Sequence, residues 1–93
     1  MVLGTVTVEL EITDARTLKD KRRVVRSLLD RLRDTFNVAA AELNHLDNPR
    51  LSTIGAVTLA NDGRFVHEVL SAVVSDIEQE DRVVVLDIHT ELL

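Results

Sequence analysis

The chain has no cysteine, no tryptophan and no tyrosine, only one proline and three glycines. Without cysteine there is no disulfide, no thiolate metal site and no cysteine nucleophile. That usage fits a reducing compartment. The only aromatic residues are Phe36 and Phe65, so the platform on which RNA-binding sheets usually stack bases is missing. No apolar run nears the ~20 residues that span a bilayer. Met1-Val2-Leu3-Gly4 lacks the basic region that opens a secretory leader. The expectation is a soluble, cytoplasmic protein with no membrane partner.

What is present is aliphatic. Hydrophobic residues make up 45% of the 93 positions, mostly Val, Leu, Ile and Ala. This length makes one domain, residues 1–93. It buries roughly 60–65% of the surface its unfolded form exposes, so its core must be efficient. The net charge of −5 is unevenly spread. Residues 16–33 hold eight bases and two acids, a net of +6; the rest holds three bases and fourteen acids, a net of −11. A chain so polarised offers different partners different faces.

Residues 2–12 alternate. Val2, Gly4, Val6, Val8, Leu10 and Ile12 point one way, and Leu3, Thr5, Thr7, Glu9 and Glu11 the other. Period two with one polar face predicts a half-buried strand. Thr17 then reads as a helix N-cap, with Asp20 three residues on. Leu18, Val25, Leu28, Leu29, Leu32 and Phe36 form a helical stripe of about five turns. Residues 36–45 contain three alanines, which favour helix in isolation, but Asn37 offers a stop and a second strand is expected. Asp47-Asn48-Pro49 is a turn. Leu51 to Ala60 forms a third strand, with Gly55 marking a bulge or a close approach. Asn61-Asp62-Gly63 caps a second helix with the stripe Phe65, Val66, Val69, Leu70, Val73 and Ile77. Glu78-Gln79-Glu80-Asp81 closes it, which is poor chemistry for a negative helix end. Residues 82–92 form the last strand, with Val84, Leu86 and Ile88 inward and Val83, Val85, Asp87, His89 and Glu91 outward. The order β-α-β-β-α-β predicts an α+β, ferredoxin-like fold: a four-stranded antiparallel sheet with two helices on one face.

Ala15-Arg16-Thr17-Leu18-Lys19-Asp20-Lys21-Arg22-Arg23-Val24, followed by Ser27-Leu28-Leu29 and Phe36-Asn37-Val38, resembles the signature of the YlxP-like proteins. Ala41-Glu42 with His45 and Asp47, Asn61-Asp62 and the acidic last strand extend the likeness over essentially the whole chain. At the turn this chain carries Asn48-Pro49-Arg50, where the family more often has a polar and aromatic stretch. These small bacterial proteins are classed as a domain of unknown function. The resemblance implies a ferredoxin-like fold and, because their genes often sit beside translation and ribosome-maturation factors, a connection with RNA or the ribosome. It carries no catalytic residues over.

The basic first helix is the leading candidate surface. Arg16, Lys19, Lys21, Arg22, Arg23 and Arg26 are the residues expected to contact RNA phosphates. Against this stands a solvated charged face paired with nearby acids. The outward residues of the first and last strands are acidic and non-aromatic, so RNA contact through the sheet is not expected, and no DNA partner is expected. The same open face leaves Leu3, Val57, Leu59, Val83 and Val85 near water, a candidate interface for a homodimer or higher oligomer by face or edge. A small-molecule regulatory domain is a third reading, but Thr13-Asp14-Ala15-Arg16 lacks the Gly-rich turn such domains present. His45, His67 and His89 have no metal-ligand spacing. With no nucleophile–base pair and no phosphate loop, neither enzymatic activity nor a cofactor is expected.

Overall fold

The computed structural model describes residues 1–93. The chain runs β1 (Val2–Ile12), α1 (Leu18–Thr35), β2 (Ala39–Asn44), β3 (Leu51–Ala60), α2 (Gly63–Glu78) and β4 (Val83–Leu92). The strands form one antiparallel sheet in the order β2-β3-β1-β4. Both helices pack on one face, the ferredoxin-like βαββαβ arrangement. No helix is long and apolar enough to cross a membrane.

Alternation in β1 sends Val6, Val8, Leu10 and Ile12 into the core, where they meet Ile54 and Ala56 of β3. Val25, Leu28, Leu29 and Leu32 of α1 and Val66, Leu70, Val73 and Ile77 of α2 cover them. Gly4 lets α2 approach: a Cβ there would overlap the side chain of Val66 and crowd Leu70.

α1 begins as the sequence predicts. The Asp20 N–H donates to Thr17 Oγ1 at 3.1 Å, and Asp20 Oδ2 accepts from the N–H groups of Thr17 and Arg16 at 3.2 and 3.1 Å. This reciprocal capping satisfies donors that the first turn leaves free. The helix ends at Phe36, whose extended backbone stops it and whose ring packs on the core. The alanine-rich stretch becomes strand because β3 offers it a ladder, Ala39 to Asn44 pairing with Val57 to Thr53. Tertiary pairing overrides alanine's local preference.

The structure corrects three details. Phe65, expected on the buried stripe, is exposed. Val83 and Val85, expected on the open face, lie on the helix side, where Val83 is buried and Val85 packs against the core. The cause is a register shift in β4. Glu9 pairs with Asp87 but Leu10 with Val85, so Leu86 bulges out and the alternation inverts on either side of it. Val84 therefore points away from the core and, like Leu86, is exposed. Third, the acidic run after α2 does not oppose the helix dipole unaided. Glu80 accepts from Arg31 Nη1 at 3.0 Å and from Arg82 Nε and Nη2, each at 2.9 Å, while Asp76 accepts from Arg31 Nε at 2.9 Å. Residues 76–82 thereby tie α2 to α1.

Candidate nucleic-acid interface

The structure divides the six predicted phosphate-contacting residues. Arg16, Lys19, Arg22, Arg23 and Arg26 are exposed. Lys21 is not: it is 0% exposed, and this corrects its assignment to the anion-binding set. Position 21 falls one turn before Val25 and two before Leu28, on the stripe that faces the sheet. Its ammonium reaches Glu42 Oε2 at 2.9 Å and the His45 carbonyl at 2.7 Å, with the Leu51 and Leu46 carbonyls at 3.3 and 3.4 Å. Glu42 Oε2 also accepts from Ser52 Oγ at 2.7 Å. Lys21 thus spends its three donors on the β2–β3 connection and has none for a ligand.

That connection is held tightly for an exposed loop. His45 sits in the left-handed region at φ 62°, which non-glycine residues rarely adopt. Its N–H donates to Asn44 Oδ1 at 2.9 Å, and its carbonyl accepts from the Asn48 N–H at 3.0 Å as well as from Lys21. The imidazole Nε2 lies 3.7 Å from Glu9 Oε2, which accepts from Thr53 Oγ1 at 2.7 Å. Glu9 and Thr53 lie on the open sheet face, away from the basic helix. No three of the His, Asp and Glu side chains converge as metal ligands.

On α1, Lys19, Arg22, Arg23 and Arg26, with Ser27 and Asp30, line a shallow concavity along the exposed side of the helix. Arg22 has Asp47 at 3.8 Å, a loose pair between exposed groups. Arg16, Lys19, Arg23 and Arg26 have no carboxylate within ion-pair distance. Asp20 is engaged by the helix cap, and its hydrogen bond from the Arg16 N–H is the largest of the influences that lower its pKa. The structure adds one cation that the sequence did not indicate. Arg82 donates from Nη2 to Ser27 Oγ at 3.2 Å, which brings it from beyond α2 to the border of this surface. A separation of 55 residues hid that contact.

The predicted oligomer residues also divide. Leu3, Val57 and Leu59 lie on the open face, and Leu59 is exposed; Val83 and Val85 belong to the core side. A shallow apolar hollow on the open face lies between β1, β2 and β3. Thr5, Thr7, Ala39, Ala41, Leu43 and Val57 line it, and Gly55 makes room there for the Leu43 side chain.

No curated protein matches the chain. The family model described as "Protein of unknown function (DUF503)" matches residues 3–90, nearly the full length, including β1, α1 and the β2–β3 connection that Lys21 anchors. The chain belongs to the DUF503 family.

Proposed function

We propose that this protein is a non-enzymatic accessory factor that binds RNA, on the ribosome or in structured transcripts, through phosphate contacts along α1. One observation carries the reading. Lys19, Arg22, Arg23 and Arg26 line one exposed side of the first half of α1, and only Arg22 has a carboxylate, Asp47, within ion-pair distance, at 3.8 Å. Exposed positive charge left without close neutralisation is what contact with a phosphate backbone uses.

The character of the open sheet face supports a contact on the helix layer. That face presents Thr5, Thr7, Glu9, Glu11, Asp87, His89 and Glu91 and no Phe, Tyr or Trp ring on which a base could stack. Recognition then follows the shape and charge of structured RNA rather than base stacking. The likeness of essentially the whole chain to the YlxP-like proteins, whose genes often neighbour translation factors, supports the same partner class.

The test is co-sedimentation with ribosomes, and titration of a labelled structured RNA, across a salt series. Neutralising four or five phosphates gives a log–log salt slope of roughly −3 to −4.5. Arg22→Glu combined with Arg23→Glu should abolish binding with the fold intact, since both side chains are exposed. Binding that survives the double charge reversal, or that ignores ionic strength, overturns the proposal.

A further inference from the structure

We propose that β4 is a self-association edge: two copies pair antiparallel about a twofold axis at Thr90 and extend the sheet to eight strands. β4 is an outer strand of the sheet. It runs ten residues, Val83–Leu92, without proline, lysine or arginine. Proline and lysine are usual devices that keep an edge from pairing; here the bulge at Leu86 and the carboxylates of Asp87 and Glu91 are present instead. The opposite edge is managed differently. β2 has six residues, and Arg33 covers the Ala40 carbonyl with hydrogen bonds of 3.2 and 2.6 Å.

Backbone direction identifies the free groups. The Leu93 N–H donates to the Leu3 carbonyl at 2.7 Å. Hydrogen-bonding direction alternates along an antiparallel strand, so Glu91, His89 and Asp87 also face β1. Ile88, Thr90 and Leu92 turn their N–H and C=O groups to the empty edge. Their side chains lie on the helix side, opposite Val8, Val6 and Gly4, and Ile88 and Leu92 are 39% and 51% exposed.

Charge selects the occupant and the register. His89 and Glu91 share the open face, with Nε2 and Oε1 3.6 Å apart. A twofold at Thr90 sets each His89 opposite the other copy's Glu91, and each Ile88 opposite the other copy's Leu92. About six backbone hydrogen bonds then join the strands. A twofold at His89 would set Asp87 against Glu91, and one at Asp87 or Glu91 would set a carboxylate against its own copy. A twofold at Ile88 also pairs His89 with a carboxylate, Asp87, but it runs Thr90 into the bulge at Leu86. A second copy centred on Thr90 satisfies strand direction, charge and the bulge together. A twofold perpendicular to the sheet keeps all four helices on one face, so the Ile88 and Leu92 pairs continue the existing apolar layer.

The contact is smaller than a standard interface, so association in the micromolar range is expected. Sedimentation velocity from about 5 to 500 μM should show monomer passing to dimer. Amide exchange at Ile88, Thr90 and Leu92 should slow as concentration rises. Thr90→Pro should leave the fold intact, because its N–H faces the edge, and abolish the dimer. His89→Glu should weaken association at least ~10-fold, the cost of placing like charges in opposed positions. Adding Glu91→His should restore it. A protein monomeric throughout that range overturns the proposal, and this is also the result if a peptide from another protein fills the edge. So does a dimer that survives Thr90→Pro, or one that the double exchange fails to restore.

Discussion

The ammonium of Lys21 is buried 2.9 Å from Glu42 Oε2, and this one pair joins the basic helix to the second strand and its loop. A buried ion pair is costly to break because the remaining partner is left charged and unsolvated. Lys21→Met should therefore destabilise the fold by about 3 kcal/mol. Glu42→Gln should cost somewhat less, since the carbonyls of His45 and Leu51 still hold the ammonium. The two changes together should cost less than their sum by more than ~1 kcal/mol, because each removes the other's unpaired charge. Urea denaturation of the two single variants and the double measures this. Additive losses would show that the pair is not coupled.

Glu80 gives the protein an acid-sensitive clasp. Hydrogen bonds from Arg82, and secondarily from Arg31, hold its pKa at about 2, below an ordinary value of 4.5. In that interval the unfolded chain binds a proton and the folded chain does not. The stabilisation is complete above the unfolded value and is lost as pH falls towards about 2. Arg31 and Arg82 are partly solvated, which screens the pair. Glu80→Gln should therefore cost about 1–2 kcal/mol at neutral pH, rather than the full value of the shift, and almost nothing near pH 2. Chemical denaturation over that pH range checks it, and a pH-independent difference would refute it.

Two glycines should respond oppositely to a methyl group. At Gly4 the new Cβ meets Val66 and Leu70 from α2, both buried and unable to yield. Gly4→Ala should cost roughly 1–3 kcal/mol through overpacking. At Gly55 the new Cβ meets only the Leu43 side chain, which is exposed and can swing away. Gly55→Ala should be close to neutral. Equal melting temperatures for the two variants would contradict this reading.

Thr17→Ala removes the acceptor for the Asp20 N–H and should cost about 1 kcal/mol. The loss should concentrate in the first turn of α1. Amide exchange at Asp20 should accelerate while exchange at Leu28 and Leu32 tracks only the global change. Uniform acceleration along the helix would mean that the cap does not act locally.

Much of the fold was legible because its signals are local. Alternation fixed β1 at Val2–Ile12, and a turn before β-branched residues fixed β3 at Leu51–Ala60. The Thr17–Asp20 spacing announced the start of α1. Lys21 was the instructive failure. The apolar stripe of α1 has a gap between Leu18 and Val25, and Lys21 fills it. Its spacing from Val25 and Leu28 sets it towards the sheet, but its residue type led to its assignment with the surface cations. What reverses that assignment is the set of acceptors brought by Glu42, His45 and Leu51, which lie 21 to 30 residues away.

β4 shows the same division. Its period-two pattern predicted a strand, and a strand forms. Which side Val83 and Val85 occupy depends on one extra residue at Leu86, visible only in the pairing with β1. The sequence by itself determined the element order, the caps, the apolar stripes and the concentration of positive charge on α1, because each depends on neighbours within a turn or a strand. Tertiary structure decided which cation is buried, which face the start of β4 presents and which strand is left as a free edge. These depend on what distant segments bring into contact, and the cost of an unpaired buried charge or an unmatched strand is set by those partners.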